Sequence, residues 1–293
     1  MGGKVINEDP NHLGPLWEAV LDIYEEFCRV CERHGLRHYV VSGTLLGAIR
    51  HKGFIPWDDD FDLAMPRPDY EKLKAIFRNE FPNHLKFMDQ HNTPEFDGLF
   101  GKVMDVRRER IAEVENKVGF QLSNGLFIDI FPIDGFPTRR FASLVCRIRG
   151  WLQQGVYRYK TRKNHPAAQT VGGKIWTLSG LFFCPIFWPL TGGLPVFLDR
   201  IERWLKRIPF NDGQPSGLAG CEVGRFHLIF PAGHWSNVES LPYEGIQVVA
   251  SSKGREFLSA RYGDYMKLPP ENKRKPTHEL SVRCPWWLGP TGE

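Results

Sequence analysis

The sequence predicts an α/β protein in which helices flank a mixed sheet, with a hydrophobic and basic helical insertion. Three observations carry this. Leu16, Val20, Tyr24, Phe27 and Cys31 recur at helical spacing. Short β-branched and aromatic runs, beginning at residues 38–41, alternate with further helical periods. A composition of 42% hydrophobic and 25% charged residues is that of a globular chain, which excludes a disordered or fibrous one. At 293 residues, one elaborated domain or two small ones fit.

Taken in order, residues 15–34 read as an amphipathic helix, and Gly35 stands where a helix stop belongs. Residues 38–41 read as a strand that ends at Ser42-Gly43-Thr44, and residues 45–50 as a second helix. The local unit is helix, strand, Gly turn, helix. A loop around Gly53 and Pro56 follows, then a carboxylate-rich strand over 57–64 and a helix over 68–77. Residues 99–106 and 125–131 are expected to add strands to the same sheet. No internal repeat or low-complexity tract is visible.

The composition changes from residue 141 to 198. Between Asp134 and Asp199 there are nine basic side chains and no acidic one, so this segment carries the basic character of a chain whose net charge is +4. A local anionic surface is therefore the expected partner, and general nucleic-acid coating is not. Residues 175–198 carry no charge and are long enough to span a bilayer, but Pro185, Pro189 and Pro195 would break a spanning helix. A buried hairpin, an element lying at a membrane interface, or an ordinary insertion packed on the core fits better. Six cysteines are too few for a disulfide framework, and residues 1–15 hold no apolar leader, so a reducing cytoplasm is expected. Ile6 stands where a myristoylation signal requires Ser or Thr.

The richest chemistry lies in Trp57-Asp58-Asp59-Asp60-Phe61-Asp62-Leu63. In an extended strand Asp58, Asp60 and Asp62 share one face and Asp59 takes the other. Like charges on one face call for a divalent cation, and oxygen ligands suit Mg²⁺ or Mn²⁺. A solvated acidic turn is the plain alternative, but the interleaved Trp57, Phe61 and Leu63 favour a half-buried strand. The Ser42-Gly43-Thr44 turn can present backbone N–H groups to a phosphate. Arg50 or Lys52 is expected to touch phosphate too, unless residues 50–52 simply end a helix with favourable charge. Asp129, set among Phe127, Ile128, Ile130 and Phe131, needs a partner and is expected to meet metal or act as general base. Asp134, beside Gly135, is expected to shape a turn. Lys102, a charge within an apolar strand, balances phosphate or pairs with Asp105. Cys28, Cys31 and His34 have a zinc-like spacing without a second cysteine pair, and read as helix.

Residues 42–62, from Ser42-Gly43-Thr44-Leu45-Leu46-Gly47-Ala48-Ile49-Arg50-His51-Lys52-Gly53-Phe54-Ile55-Pro56 through Asp62, resemble the signature of the LicD family. Phe127-Ile128-Asp129-Ile130-Phe131-Pro132-Ile133-Asp134, Tyr262-Gly263-Asp264-Tyr265-Met266-Lys267-Leu268-Pro269-Pro270 and His278 add to the resemblance. It implies a nucleotidyltransferase fold of the polymerase β type. It also implies Mg²⁺-dependent transfer of a phospho-alcohol, most often phosphocholine from CDP-choline or a related CDP-alcohol. The implied acceptor is a sugar hydroxyl of a cell-surface glycan, such as lipopolysaccharide or teichoic acid, or its lipid-linked precursor, and CMP is released. Carried over residue by residue, Gly43 and Thr44 form the turn, Asp60 and Asp62 the acidic pair and Asp129 the third carboxylate, with Arg50, Lys52 and Lys102 toward the donor. The gap between turn and acids is longer than in many nucleotidyltransferases, which makes Asp58 an alternative to Asp60 as the first metal ligand. Trp57, Tyr243, Tyr262 and Trp235 are candidates to hold a quaternary ammonium over an aromatic face. The expected organisation is a catalytic core over 1–140, a basic and hydrophobic insertion over 141–215 and a C-terminal part over 216–293 that completes the domain. The protein would act in the cytoplasm, with peripheral contact to the inner face of the membrane. The rival readings are nucleotidyl transfer with release of pyrophosphate, and a non-catalytic homologue that binds glycan or membrane. A glycosyltransferase is disfavoured, because too little chain precedes Asp58 to build a nucleotide-binding half-domain.

Overall fold

The computed structural model describes residues 13–93, 98–109, 125–142, 144, 194–218 and 228–275. Helix α1 (Gly14–His34) buries Leu16, Val20, Tyr24, Phe27 and Cys31, the same stripe that its periodicity marks. It ends at Gly35, whose φ of 62° places it in the left-handed region where a glycine cap costs little. Cys28 and Cys31 therefore lie on a helix, with Cys31 in the core.

Strand β1 (Tyr39–Val40) leads directly into α2 (Ser42–Arg50), so the expected Gly turn is the first turn of a helix. Strand β2 (Asp62–Pro66) begins later than the alternating acidic pattern suggests, and Trp57–Phe61 precedes it as irregular backbone. The alternation argument for Asp58 and Asp60 thus lacks a strand to act on. Helix α3 (Arg67–Glu80) is followed by β3 (Leu85–Met88), β4 (Gly101–Glu109) and β5 (Gly125–Gly135).

Among the described residues these strands form a mixed sheet in the order β1-β2-β5-β4-β3. Strand β2 runs parallel to β5 and the remaining pairs in that order are antiparallel. Strands β6 (Ser216–Gly217) and β7 (Ile229–Phe230) extend it beyond the end of β5. A separate hairpin of β8 (Val238–Tyr243) and β9 (Ile246–Ser251) precedes α5 (Gly254–Tyr262). Helix α1 packs on β4 and β5, α3 on β2 and β5, and α2 on β2, β8 and α5. The main apolar core, from Leu13 to Leu258, joins α1, α2, α3, strands β1 to β5, the β8–β9 hairpin and α5, and a smaller cluster holds Phe136, Ala142, Leu205 and Ile229.

Helix α4 (Leu194–Leu205) is tied to the sheet by buried charge. Arg67 donates from Nε and Nη2 to the two oxygens of Asp134 at 2.7 and 3.0 Å, the two-pronged geometry of an ionised pair. Its Nη1 reaches Glu202 of α4 at 3.4 Å, and Glu202 also meets Lys206 and His91. Asp134 is therefore an ion-pair residue inside β5, a correction to its expected role in a turn. Among the described residues no helix is long and apolar enough to cross a membrane. The expected insertion over 141–215 falls mostly outside the described residues, as do His278 and most of the uncharged run 175–198.

Candidate active site

A cavity of about 420 Å³ opens where α2, the acidic segment and the chain after α5 converge. Gly43, Leu46 and Arg50 line it from α2, and Trp57, Asp58, Asp60 and Asp62 from the acidic segment. Arg261, Tyr262, Asp264, Tyr265, Lys267 and Pro269 close the other side.

The acidic segment is clamped by distant groups. Trp17 of α1 donates from its indole N–H to the Asp58 carbonyl at 2.9 Å and stacks on Phe54 at 5.0 Å. The Phe54 N–H donates to the buried Glu244 carboxylate at 2.9 Å, and the Glu244 N–H to the Lys52 carbonyl at 3.0 Å. Strand pairing then begins. The Asp62 N–H donates to the Thr44 hydroxyl at 2.8 Å, and the Asp129 N–H to the Phe61 carbonyl at 2.8 Å. A Cβ added at Gly43 would collide with the Asp58 carboxylate as it stands, so glycine lets α2 and this acid come together without displacing the side chain. Ser42 enters α2 with φ 51°, a strained non-glycine backbone, and its hydroxyl is buried without a hydrogen-bond partner among the described residues.

The sequence candidates divide into two groups. Asp58, Asp60, Asp62, Gly43 and Arg50 all line the cavity. Asp129 lies one strand away, directly opposite Asp62 in the β2–β5 register. Thr44 is buried behind the cavity, with its hydroxyl engaged by the Asp62 N–H. Lys52 is exposed and contributes no wall, while Lys102 is buried and paired with Asp129. Asp105, the other partner considered for Lys102, binds Arg107 at 2.8 Å. Trp57 and Tyr262 face the cavity, whereas Tyr243 and Trp235 belong to the core.

Sequence reasoning passed over two contributors. Asp59, assigned to the opposite face, is buried, yet its carboxylate lies in one group with those of Asp58 and Asp60, all within 4.8 Å of one another. Arg261 lines the cavity and donates to the Tyr262 hydroxyl at 2.8 Å. Its signal was its position immediately before the Tyr262–Pro270 stretch.

Burial pushes the Asp62 carboxyl well above the usual carboxylate range, and the charges of Asp60 and Asp129 push it further; Arg261 and Lys102 oppose this. Arg50 is drawn down by burial while its Nη1 donates to the Tyr265 carbonyl at 2.7 Å, which ties α2 to the C-terminal wall. The carboxylates of Asp58, Asp59 and Asp60, gathered within 4.8 Å beside Asp62, are clustered hard oxygen donors of the kind a divalent cation relieves, so Mg²⁺ or Mn²⁺ fits these residues.

Comparisons with known proteins point to one family for the segment that carries these acids. A family model described as LicD/FKTN/FKRP, nucleotidyltransferase domain, matches residues 35–144, which include every acid named above as a candidate ligand or base. The lipopolysaccharide cholinephosphotransferase LicD of Haemophilus influenzae is 28% identical over 276 residues, 88% of this chain and 92% of that protein. An uncharacterized protein of Rickettsia prowazekii is 36% identical over 61 residues, 21% of each chain. The segment that holds the sheet, the acids and the Gly43 approach is thus the one that matches the LicD nucleotidyltransferase domain.

Proposed function

We propose that this protein transfers a phospho-alcohol, phosphocholine first among them, from a CDP-alcohol to a hydroxyl of a cell-surface glycan or its lipid-linked precursor. The observation that carries the reading is one cavity in which Asp58, Asp60 and Asp62 meet the cations Arg50, Arg261 and Lys267 and the rings of Trp57, Tyr262 and Tyr265. The similarity to a cholinephosphotransferase that acts on lipopolysaccharide supports the head group and the glycan acceptor.

Mg²⁺ or Mn²⁺ held by Asp58, Asp60 and Asp62, with Asp59 as a further oxygen donor, would neutralise the donor's diphosphate. Arg50, Arg261 and Lys267 bind phosphate oxygens, and the aromatic rings hold a quaternary ammonium over their faces. The acceptor oxygen attacks the phosphorus that carries the alcohol; the new O–P bond forms as the bond to the CMP oxygen breaks. Asp129, in the row of Asp62, takes the acceptor's proton. Such donors are cytoplasmic, which places the reaction there, at the inner face of the membrane when the acceptor is lipid-linked.

The test is a melting series with CDP-choline, CDP-ethanolamine and CDP-ribitol, with and without Mg²⁺, followed by product analysis with a lipopolysaccharide acceptor. The donor should raise Tm only with metal present, and turnover should release CMP. Release of pyrophosphate would convert the reading to nucleotidyl transfer. Metal-dependent donor binding without any product would leave a non-catalytic homologue.

A further inference from the structure

We propose that Lys102 is a resident counter-ion of the carboxylate site: it holds Asp129 in place while the site lacks metal, limits how tightly the site takes a divalent cation, and does not grip the donor's phosphates. The inference rests on the metal-dependent reading above and assigns one residue a role within it.

Lys102 of β4 stands directly opposite Asp129 of β5, and Asp129 directly opposite Asp62 of β2. Directly opposed residues share a face of a sheet, so cation, shared carboxylate and cavity carboxylate form a single row. The Lys102 ammonium is ion-paired to the Asp129 carboxylate, with the two side chains only 7% and 14% exposed. It also sits 3.5 Å from the centroid of the Phe127 ring and 5.3 Å from that of Phe100. Two aromatic faces and one carboxylate thus seat a buried ammonium that is absent from the cavity wall. To reach a phosphate it would have to leave all three.

The seat explains how β2 and β5 tolerate opposed aspartates. Like charges directly across a ladder are destabilising, and the Lys102 ammonium sets an opposite charge on the shared carboxylate of that row. A cation bound at the acids competes electrostatically with the fixed ammonium. Removing the ammonium should therefore weaken the metal-free fold and strengthen metal binding. A phosphate-gripping lysine makes the opposite prediction, namely loss of donor affinity with metal affinity unchanged.

The experiment uses the full chain. Mn²⁺ is titrated calorimetrically without donor into wild type, Lys102→Met and the double variant Lys102→Met/Asp129→Asn, and each is melted in EDTA. Lys102→Met should bind Mn²⁺ more tightly, on the order of tenfold for one uncompensated carboxylate nearby. It should melt lower in EDTA and recover with Mn²⁺, and the double variant should reverse both effects. Unchanged Mn²⁺ affinity in Lys102→Met would overturn the inference and leave the functional reading standing. Absence of Mn²⁺ binding by wild type would overturn both. If Lys102→Met alone does not fold, folding of the double variant supports the counter-ion role, and its failure to fold refutes it.

Discussion

Asp62 is burdened first by its burial and then by the charges of Asp60 beside it and Asp129 across the ladder. Asp60→Asn or Asp62→Asn should abolish transfer yet leave the metal-free melting temperature equal or higher, because one like charge is gone. Calorimetric melting in EDTA beside a CMP-release assay checks both halves; near-wild-type turnover would remove the residue from the metal set. Asp129→Asn should lower kcat by about 10²–10⁴, the usual contribution of a general base, with donor KM nearly unchanged. A fully active Asp129→Asn would make the residue structural.

The acidic segment has irregular backbone and takes its shape from elements far away in sequence, α1 through Trp17 and the β8–β9 turn through Glu244. Glu244→Ala leaves the buried Phe54 N–H without its acceptor, so stability should fall by about 1–3 kcal/mol. Weaker Mn²⁺ binding should accompany the loss, and both are readable by denaturant melts and metal titration. Past the other end of β2, Arg67→Met strands Asp134 and removes a partner of Glu202, both buried. A loss of roughly 3–5 kcal/mol is expected for a broken buried pair, much more than for the exposed Arg255–Glu239 pair. If urea midpoints of Arg67→Met and Arg255→Met shift equally, Arg67 does not anchor α4.

Acid should unfold the protein in two stages, set by groups dispersed through the fold. Burial lowers His38 and His234 from 6.5 to about 4, so the folded chain keeps them neutral. Between those values the unfolded chain binds more protons, and stability falls as pH drops through that window. Glu202 is held at about 2 by His91, Lys206 and Arg67 against its own burial. Its contribution is complete above its ordinary 4.5 and is lost as pH falls toward 2. Melts from pH 7 to pH 3 should show the first decline flattened in a His38→Gln, His234→Gln variant and the second flattened in Glu202→Gln. A Tm independent of pH over this range would refute the assignment.

Local chemistry alone determined much of this. The stripe of α1 and its Gly35 stop follow from periodicity and backbone sterics, and the expectation that Asp129 and Lys102 each need a counter-charge follows from the apolar residues beside them in the chain. Each depends on residues that are neighbours in the chain. Only the folded arrangement decided where β2 starts, because alternation assigns faces only once a ladder exists, and the ladder begins where Thr44 and β5 supply partners. The same holds for Lys102. From the sequence it could serve phosphate or Asp105, and the β4–β5 register placed it opposite Asp129. Likewise, the wall from Arg261 to Pro269 reaches the acids because α5 packs on α2. Register and helix docking are set by burial over the entire core, and no local stretch of chain encodes them.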